Sequence, residues 1–179
     1  YAQDHWQVSA PLLLSYGVRY DAYDMKQITY ANGTKSDGVS FNAGLEYDLG
    51  HDLKFSASYA EAFRGKEIGD AFTLEKRPGR ISLSPTLKPE TVENYEVGLA
   101  WDKGPFRASA VYYSMTIDDV IFDQLGSGAP PQDAVYYENV GRFKAEGVEL
   151  RAGYSSGPFS VDAYYNHYES TLNGDTIEG

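Results

Sequence analysis

The amino-acid sequence predicts an all-β protein, specifically a transmembrane antiparallel β-barrel of which about eight strands are present. Three observations support this prediction. Apolar and polar residues alternate over runs of ten to thirteen positions, the connections between runs are alternately short and long, and 15% of the residues are aromatic. A membrane strand needs about 9–11 such residues, because one of its faces meets lipid and the other meets the aqueous lumen.

Composition and charge argue against two other classes of protein. No apolar run approaches the roughly 20 residues that a transmembrane helix requires. The net charge of -11 argues against a nucleic-acid partner, since binding to phosphates needs clustered lysine and arginine. We therefore expect a chain that contacts the lipid bilayer with strands.

The first half of the chain predicts four strands. They cover residues 1–7, 12–24, 39–49 and 53–59. Apolar side chains recur at every second position, as at Tyr16, Val18 and Phe41, which is the period of a strand. Residues 50–52 form a tight turn that joins two of these strands into a hairpin. Residues 25–37 are polar and are interpreted as a longer connection.

The second half repeats this pattern. Its predicted strands cover residues 95–101, 106–112, 136–154 and 159–166. Val97 and Leu99 mark the apolar side of the first of them. Tight turns at residues 103–105 and 156–158 again create hairpins, whereas residues 122–134 contain several glycines and prolines and predict a long connection.

Residues 64–90 are the longest predicted connection. They are rich in charge, and Pro78, Gly79, Pro85 and Pro89 exclude regular strand through most of the segment. A connection of this length is usually functional or disordered.

Aromatic residues gather beside the short turns. They are Trp6, Tyr47, Phe55, Trp101, Phe106, Tyr154 and Phe159. Outer-membrane barrels have short periplasmic turns, long extracellular loops and aromatic girdles at both interfaces. We therefore predict that the short turns lie on the periplasmic side, beside one girdle.

Two alternatives to part of a larger membrane barrel are disfavoured. A soluble β-sandwich or lipocalin-like barrel is disfavoured, because its strands usually have about five or six residues. A complete eight-stranded barrel is disfavoured by topology, since both chain ends would lie outside the cell. We therefore expect residues 1–179 to be part of a larger barrel, of the 22-stranded type with a plugged lumen.

Four segments of the sequence carry recognisable motifs. They are Gly17-Val18-Arg19-Tyr20-Asp21, Ser58-Tyr59-Ala60-Glu61-Ala62-Phe63-Arg64, residues 83–98, and Tyr137-Glu138-Asn139-Val140-Gly141 with Gly147-Val148-Glu149-Leu150. Their order and spacing resemble those of TonB-dependent outer-membrane receptors. The sequence departs from that pattern at Ser84, where the family usually has asparagine, and at Gly65-Lys66, where it usually has alanine and proline. The motif positions are Phe63, Arg64, Pro85, Leu87, Lys88, Pro89, Glu90, Tyr95, Glu96, Gly98, Asn139, Gly141, Gly147 and Glu149.

The resemblance implies a receptor in the outer membrane of a Gram-negative bacterium, without enzymatic activity. Such a receptor binds a scarce nutrient chelate outside the cell and admits it when TonB and the proton-motive force displace an N-terminal plug. A ferric siderophore is the expected chelate. Neither a plug nor a TonB box is found in residues 1–179, so contact with TonB is expected through a missing N-terminal part.

Four cations of the longest connection are candidates for contact with the ligand. They are Arg64, Lys66, Arg77 and Arg80. Each could form charge-assisted hydrogen bonds with an anionic ferric chelate. The alternative is a solvated loop in which these cations pair with Glu67, Asp70 and Glu75.

Other ligands and chemistries have weaker support. Haem is disfavoured because His5, His51 and His167 all lie outside residues 64–90, but uptake of haem, cobalamin or a glycan remains an alternative. Outside transport, an adhesin or a barrel enzyme is the alternative, although no nucleophile and base are paired. Asp118-Asp119 is not expected to bind a metal, since neighbours on a strand face opposite sides. We predict no cofactor, metal site or catalytic residue.

Overall fold

The computed structural model describes residues 1–26, 33–66, 81–125 and 135–177. These residues form ten strands and no helix. The strands are β1 (Ala2–Ser9), β2 (Leu12–Lys26), β3 (Gly33–Gly50), β4 (Leu53–Arg64), β5 (Ile81–Leu83), β6 (Glu90–Lys103), β7 (Phe106–Leu125), β8 (Val135–Ser156), β9 (Phe159–Leu172) and β10 (Asp175–Thr176). Accordingly, no helix long and apolar enough to cross a membrane occurs in the described ranges.

All strands belong to one sheet, in the order β1-β2-β3-β4-β6-β7-β8-β9-β10. Each neighbouring pair in this order is antiparallel, whereas the short strand β5 pairs with β8 in parallel. Strands β5 and β10 have only three and two residues, so the prediction of about eight long strands is confirmed. Within the described residues the sheet is open, with β1 at one end and β10 at the other.

Four tight turns lie along one edge of this sheet. They join β1 to β2, β3 to β4, β6 to β7 and β8 to β9. Gly104 and Gly157 have φ angles of 58° and 55°, in the left-handed region that glycine adopts without steric cost. The predicted short turns are therefore confirmed, and the opposite edge carries the longer connections.

The two faces of the sheet differ in chemistry. The apolar face carries residues such as Val18, Phe41 and Val97, and cross-strand pairing places Val18 opposite Phe41. These three side chains keep 43–49% of their area exposed. Among the described hydrophobic residues, only Leu87 and Val120 are buried. No described element covers the apolar face, as a second sheet would in a soluble sandwich.

Aromatic side chains border the apolar face on both sides. Beside the short turns, the rings of Phe106 and Tyr154 lie 5.0 Å apart. Toward the longer connections, the rings of Tyr59 and Tyr95 lie 4.8 Å apart. The sequence analysis anticipated only the first row. A band bounded by two aromatic rows is the surface that a barrel presents to a bilayer.

Two predicted connections are shorter than expected. Strands β2 and β3 extend into residues 25–37, and β7 extends into residues 122–134 as far as Leu125. The backbone ladder continues there although the alternating pattern has ended, and Lys35 pairs with Asp24 across it at 2.9 Å. Residues 64–90 also contain β5, which the prolines on both sides of it had obscured.

Candidate functional site

The end of β4 folds over the polar face of β3. Pairing between these strands stops at Glu61. Beyond it, the Phe63 N–H donates to Ser40 Oγ at 2.9 Å and the Lys66 N–H donates to Ser36 Oγ at 3.2 Å. Both serines are only 8% exposed, so their hydroxyls replace the ladder bonds that β4 no longer makes.

Phe63 is seated on Gly38 of β3. A Cβ atom at Gly38 would overlap the phenyl ring, so only glycine fits beneath it. The ring of Tyr23 stacks on the other side, with centroids 6.4 Å apart and planes 25° apart. Three residues from three strands therefore fix the path of the chain where the longest connection begins.

Glu90 fixes the other end of that connection. Its carboxylate is only 2% exposed and accepts a 2.7 Å hydrogen bond from Arg64 Nη1 and another of 2.7 Å from the Ile121 N–H. Both carboxylate oxygens are thus satisfied, as a buried charge requires. The Arg64 side chain is 69% exposed, so its other N–H groups face solvent.

Residues 84–89, which we call the strap, cross the sheet. Residues 135–137 of β8 pair with β7 on one edge and with β5 on the other, whereas β6 lies between β4 and β7, so the chain must pass over β8 and β7 to connect β5 with β6. The Ser84 N–H donates to the Tyr137 carbonyl at 2.9 Å, and the Leu87 N–H donates to the Ser84 carbonyl at 3.0 Å. Leu87 is only 5% exposed and anchors the strap.

The side chain of Asn139, in β8, binds the backbone of the strap. Its Oδ1 accepts from the Lys88 N–H at 2.8 Å, and its Nδ2 donates to the Lys88 carbonyl at 3.0 Å. The same Nδ2 donates to the carbonyl of Asp119 at 2.5 Å. Asp119 has a φ of 56° and lies in a bulge of β7. One carboxamide therefore joins the strap to two strands.

Two of the four predicted ligand contacts can be placed. Arg64 is exposed and ion-paired with Glu90, and Lys66 is half-buried beside Ser36. Arg77 and Arg80 lie outside the described residues, as do Glu67, Asp70 and Glu75.

Lys88 is a further exposed cation, which from sequence was predicted only as a motif position. Its side chain is 67% exposed, and its Nζ lies 3.5 Å from Asp119 Oδ1. Lys88 also lies two residues before Glu90, the partner of Arg64. The strap therefore places Lys88 in the same region as Arg64. The sequence signal that could have predicted this is the short spacing between Lys88 and Glu90.

Several motif glycines have structural roles. A Cβ at Gly98 would lie 2.9 Å from Ser56 Oγ, and one at Gly147 would lie 2.8 Å from the Tyr113 hydroxyl. Gly141 has a φ of 132°, which disfavours any side chain. These positions allow neighbouring strands and side chains to approach closely.

The polar face continues toward the short turns as a charged surface. It includes a concavity of about 760 Å³ in which Arg107 pairs with Asp162 and Arg151 pairs with Glu149. A second concavity, of about 410 Å³, is lined by Glu96 and Tyr113 among others.

The three histidines of the chain lie away from the strap. His5 is in β1, His51 is in a short turn, and His167 is opposite Val148 near the middle of β9. In the described parts of the chain, no three or more histidine, cysteine, aspartate or glutamate side chains are grouped so that they could hold a metal ion.

Asp118 and Asp119 pair in different directions. Arg142 Nε donates to Asp118 Oδ1 at 2.5 Å, whereas Asp119 faces Lys88. Each carboxylate therefore has its own cation, and the two do not form a joint site.

Comparison with known proteins identifies relatives along the whole chain. The family model described as TonB dependent receptor-like, beta-barrel, matches residues 1–179. Heme/hemopexin utilization protein C of Haemophilus influenzae strain 86-028NP is 30% identical, over 94% of this chain and 26% of the relative. Vitamin B12 transporter BtuB of Photobacterium profundum is 25% identical, over 97% of this chain and 28% of the relative. The chain thus spans about a quarter of the length of these relatives.

A solved structure has the same fold. The FrpB iron transporter from Neisseria meningitidis superposes with a TM-score of 0.77 at 24% identity, over 94% of this chain and 25% of that one. This likeness shows the architecture, and the differing names of the relatives leave the ligand to be argued from the residues.

Proposed function

Because the chain belongs to the TonB-dependent receptor β-barrel family and is therefore an outer-membrane barrel, we propose that it serves uptake of a scarce nutrient chelate, specifically a ferric siderophore. We further propose that TonB and the proton-motive force drive this uptake through a plug domain and a TonB box outside residues 1–179. In this proposal the polar face of the sheet lines the lumen, and the edge with longer connections lies outside the cell.

A pair of exposed cations, Lys88 in the strap and Arg64 at the end of β4, is the observation that carries this proposal. Arg64 and Lys88 keep 69% and 67% of their side chains exposed, although the backbone beneath them is held by hydrogen bonds. An anionic chelate would receive charge-assisted hydrogen bonds from both. Arg64 has donors to spare, because a guanidinium carries five N–H groups and the bond to Glu90 uses one nitrogen.

Haem is the second candidate ligand. The relative that is 30% identical carries the name Heme/hemopexin utilization protein C, which favours it. Against it, a haem held at the strap by this chain would need an iron ligand there, and all three histidines lie elsewhere. The B12 transporter among the relatives gives cobalamin similar support. The relatives quoted are named for utilization and transport, which weakens the adhesin and enzyme alternatives.

The test is a binding assay on the intact receptor purified from outer membranes. Calorimetric titration with ferrioxamine B, ferric enterobactin, haemin and cyanocobalamin is compared for the wild type and the Arg64→Gln, Lys88→Gln, Arg77→Glu and Arg80→Glu variants. We expect the anionic ferric enterobactin to bind, rather than the cationic ferrioxamine B, and we expect Arg64→Gln and Lys88→Gln each to weaken its binding about tenfold. Lys103→Gln, beside a short turn, is the matched control. Binding of haemin or cyanocobalamin alone would overturn the siderophore assignment.

A further inference from the structure

We propose that Asn139 is a positioning residue for the ligand, because its carboxamide holds Lys88 and the carboxylate partner of Lys88 in one fixed arrangement. The inference rests on the function proposed above. It concerns a residue on β8, which is not itself expected to touch the ligand.

Asn139 binds the strap at a single residue. It accepts from the N–H and donates to the carbonyl of the same residue, Lys88, at 2.8 and 3.0 Å. This is the bonding that a neighbouring strand would supply, but here a side chain supplies it. The strap around Lys88 lies outside strands β5 and β6, so the carboxamide takes the place of a ladder at that point.

Asn139 also binds the residue that supplies the counter-ion of Lys88. Asn139 Nδ2 also donates to the backbone carbonyl of Asp119, whose carboxylate lies 3.5 Å from Lys88 Nζ. A single side chain therefore sets the backbone positions of both members of the ion pair. Moving or removing the carboxamide releases the cation and its partner together.

Asn139 is also connected with Arg64, through Ile121 and Glu90. Asn139 is directly opposite Ile121 in the pairing of β7 with β8. The Ile121 N–H donates to Glu90, and the same carboxylate receives Arg64. One cross-strand pair therefore holds both exposed cations of the site: Asn139 binds Lys88 directly, and Ile121 holds Arg64 through Glu90.

Fixed backbones under exposed charges favour binding. A ligand that meets cations already held in place loses less conformational entropy on binding than one that must order a free loop. We therefore expect Asn139 to act on affinity through preorganisation, with a smaller effect on the stability of the barrel.

The experiment combines hydrogen exchange and calorimetry on the intact receptor. In Asn139→Ala, the Lys88 amide should lose its protection, and affinity should fall about tenfold for whichever of ferrioxamine B, ferric enterobactin, haemin and cyanocobalamin the wild type binds. Added to Lys88→Ala, the same substitution should cost little further affinity, since the two residues act as a unit. Asn94→Ala is the matched control, because the described partner of Asn94 is Glu96, in the same strand.

A conservative variant keeps the test decisive. Asn139→Asp retains the acceptor for the Lys88 N–H but loses both donated bonds, so it should keep that amide protected and recover part of the affinity. It also serves if Asn139→Ala does not reach the membrane. Lost protection with unchanged affinity would overturn the inference and leave the proposed function intact. Failure of the wild type to bind any of the four chelates would overturn the proposed function, and the inference with it.

Discussion

Ile121 and Asn139 face each other across β7 and β8, and both hold the same ten-residue stretch of chain from Ile81 to Glu90. Ile121 does so through its backbone N–H, at 2.7 Å from Glu90 Oε1, and Asn139 does so through its carboxamide. A single cross-strand pair of the sheet therefore holds both the strap and the residue that follows it, Glu90.

Replacement of Glu90 should destabilise the barrel by an amount that depends on whether the Ile121 N–H keeps a hydrogen-bond acceptor. In Glu90→Ala the part-buried Ile121 N–H loses its acceptor, for which we expect a cost of about 1–3 kcal/mol. Glu90→Gln keeps an acceptor oxygen and should cost less. Urea unfolding of the detergent-solubilised protein measures the difference. Equal losses in the two variants would show that the ion pair with Arg64, rather than the backbone bond, dominates.

Gly38→Val should disturb the corner where β4 leaves the sheet. Its side chain would overlap the ring of Phe63, and overpacking of this kind typically costs about 1–3 kcal/mol. Thermal unfolding of Gly38→Val, Phe63→Ala and the double variant measures the coupling. We expect the double variant to lose less stability than the sum of the two single changes. Additive losses would contradict the seating of Phe63 on Gly38.

Neighbouring residues of β6 should respond in opposite ways to a charge. Leu99 lies on the apolar face with 45% of its area exposed, and Ala100 lies on the polar face, beside Ser109 of β7. Leu99 pairs with Phe55 in the aromatic row beside the short turns, so Leu99→Arg should cost up to about 1 kcal/mol in folding into lipid vesicles, whereas Ala100→Arg should cost much less. Folding yield into vesicles of fixed composition measures both. A larger loss for Ala100→Arg would reverse the assignment of the lipid-facing side.

The parts of the fold that sequence could predict are those that depend on neighbouring residues. Alternation along each strand predicted the two faces, and glycine with proline predicted turns such as the one at Gly104. The short strand β5 was missed because its partner, residues 135–137 of β8, is more than 50 positions away. A three-residue strand between prolines has no periodic signal of its own.

The candidate site was predictable only in part, for a similar reason. The motif positions Arg64, Glu90 and Asn139 were identified from resemblance, but their partners were not. That Asn139 binds the backbone of Lys88 depends on the crossing of β8 and β7 by the strap, which no local pattern contains. The seat of Phe63 on Gly38 likewise follows from the departure of β4 from the sheet.

The fastening of the longest connection at both of its ends has an evolutionary consequence. The bonds that hold it, from Ser36 and Ser40 at one end and from Asn139 and Ile121 at the other, all belong to the wall of the barrel. The sequence between Lys66 and Ile81 could therefore diverge or be exchanged without loss of either fastening. We therefore expect relatives that keep these bonds to differ more between Lys66 and Ile81 than in the wall, which an alignment with the proteins named for haem, vitamin B12 and ferrioxamine would test.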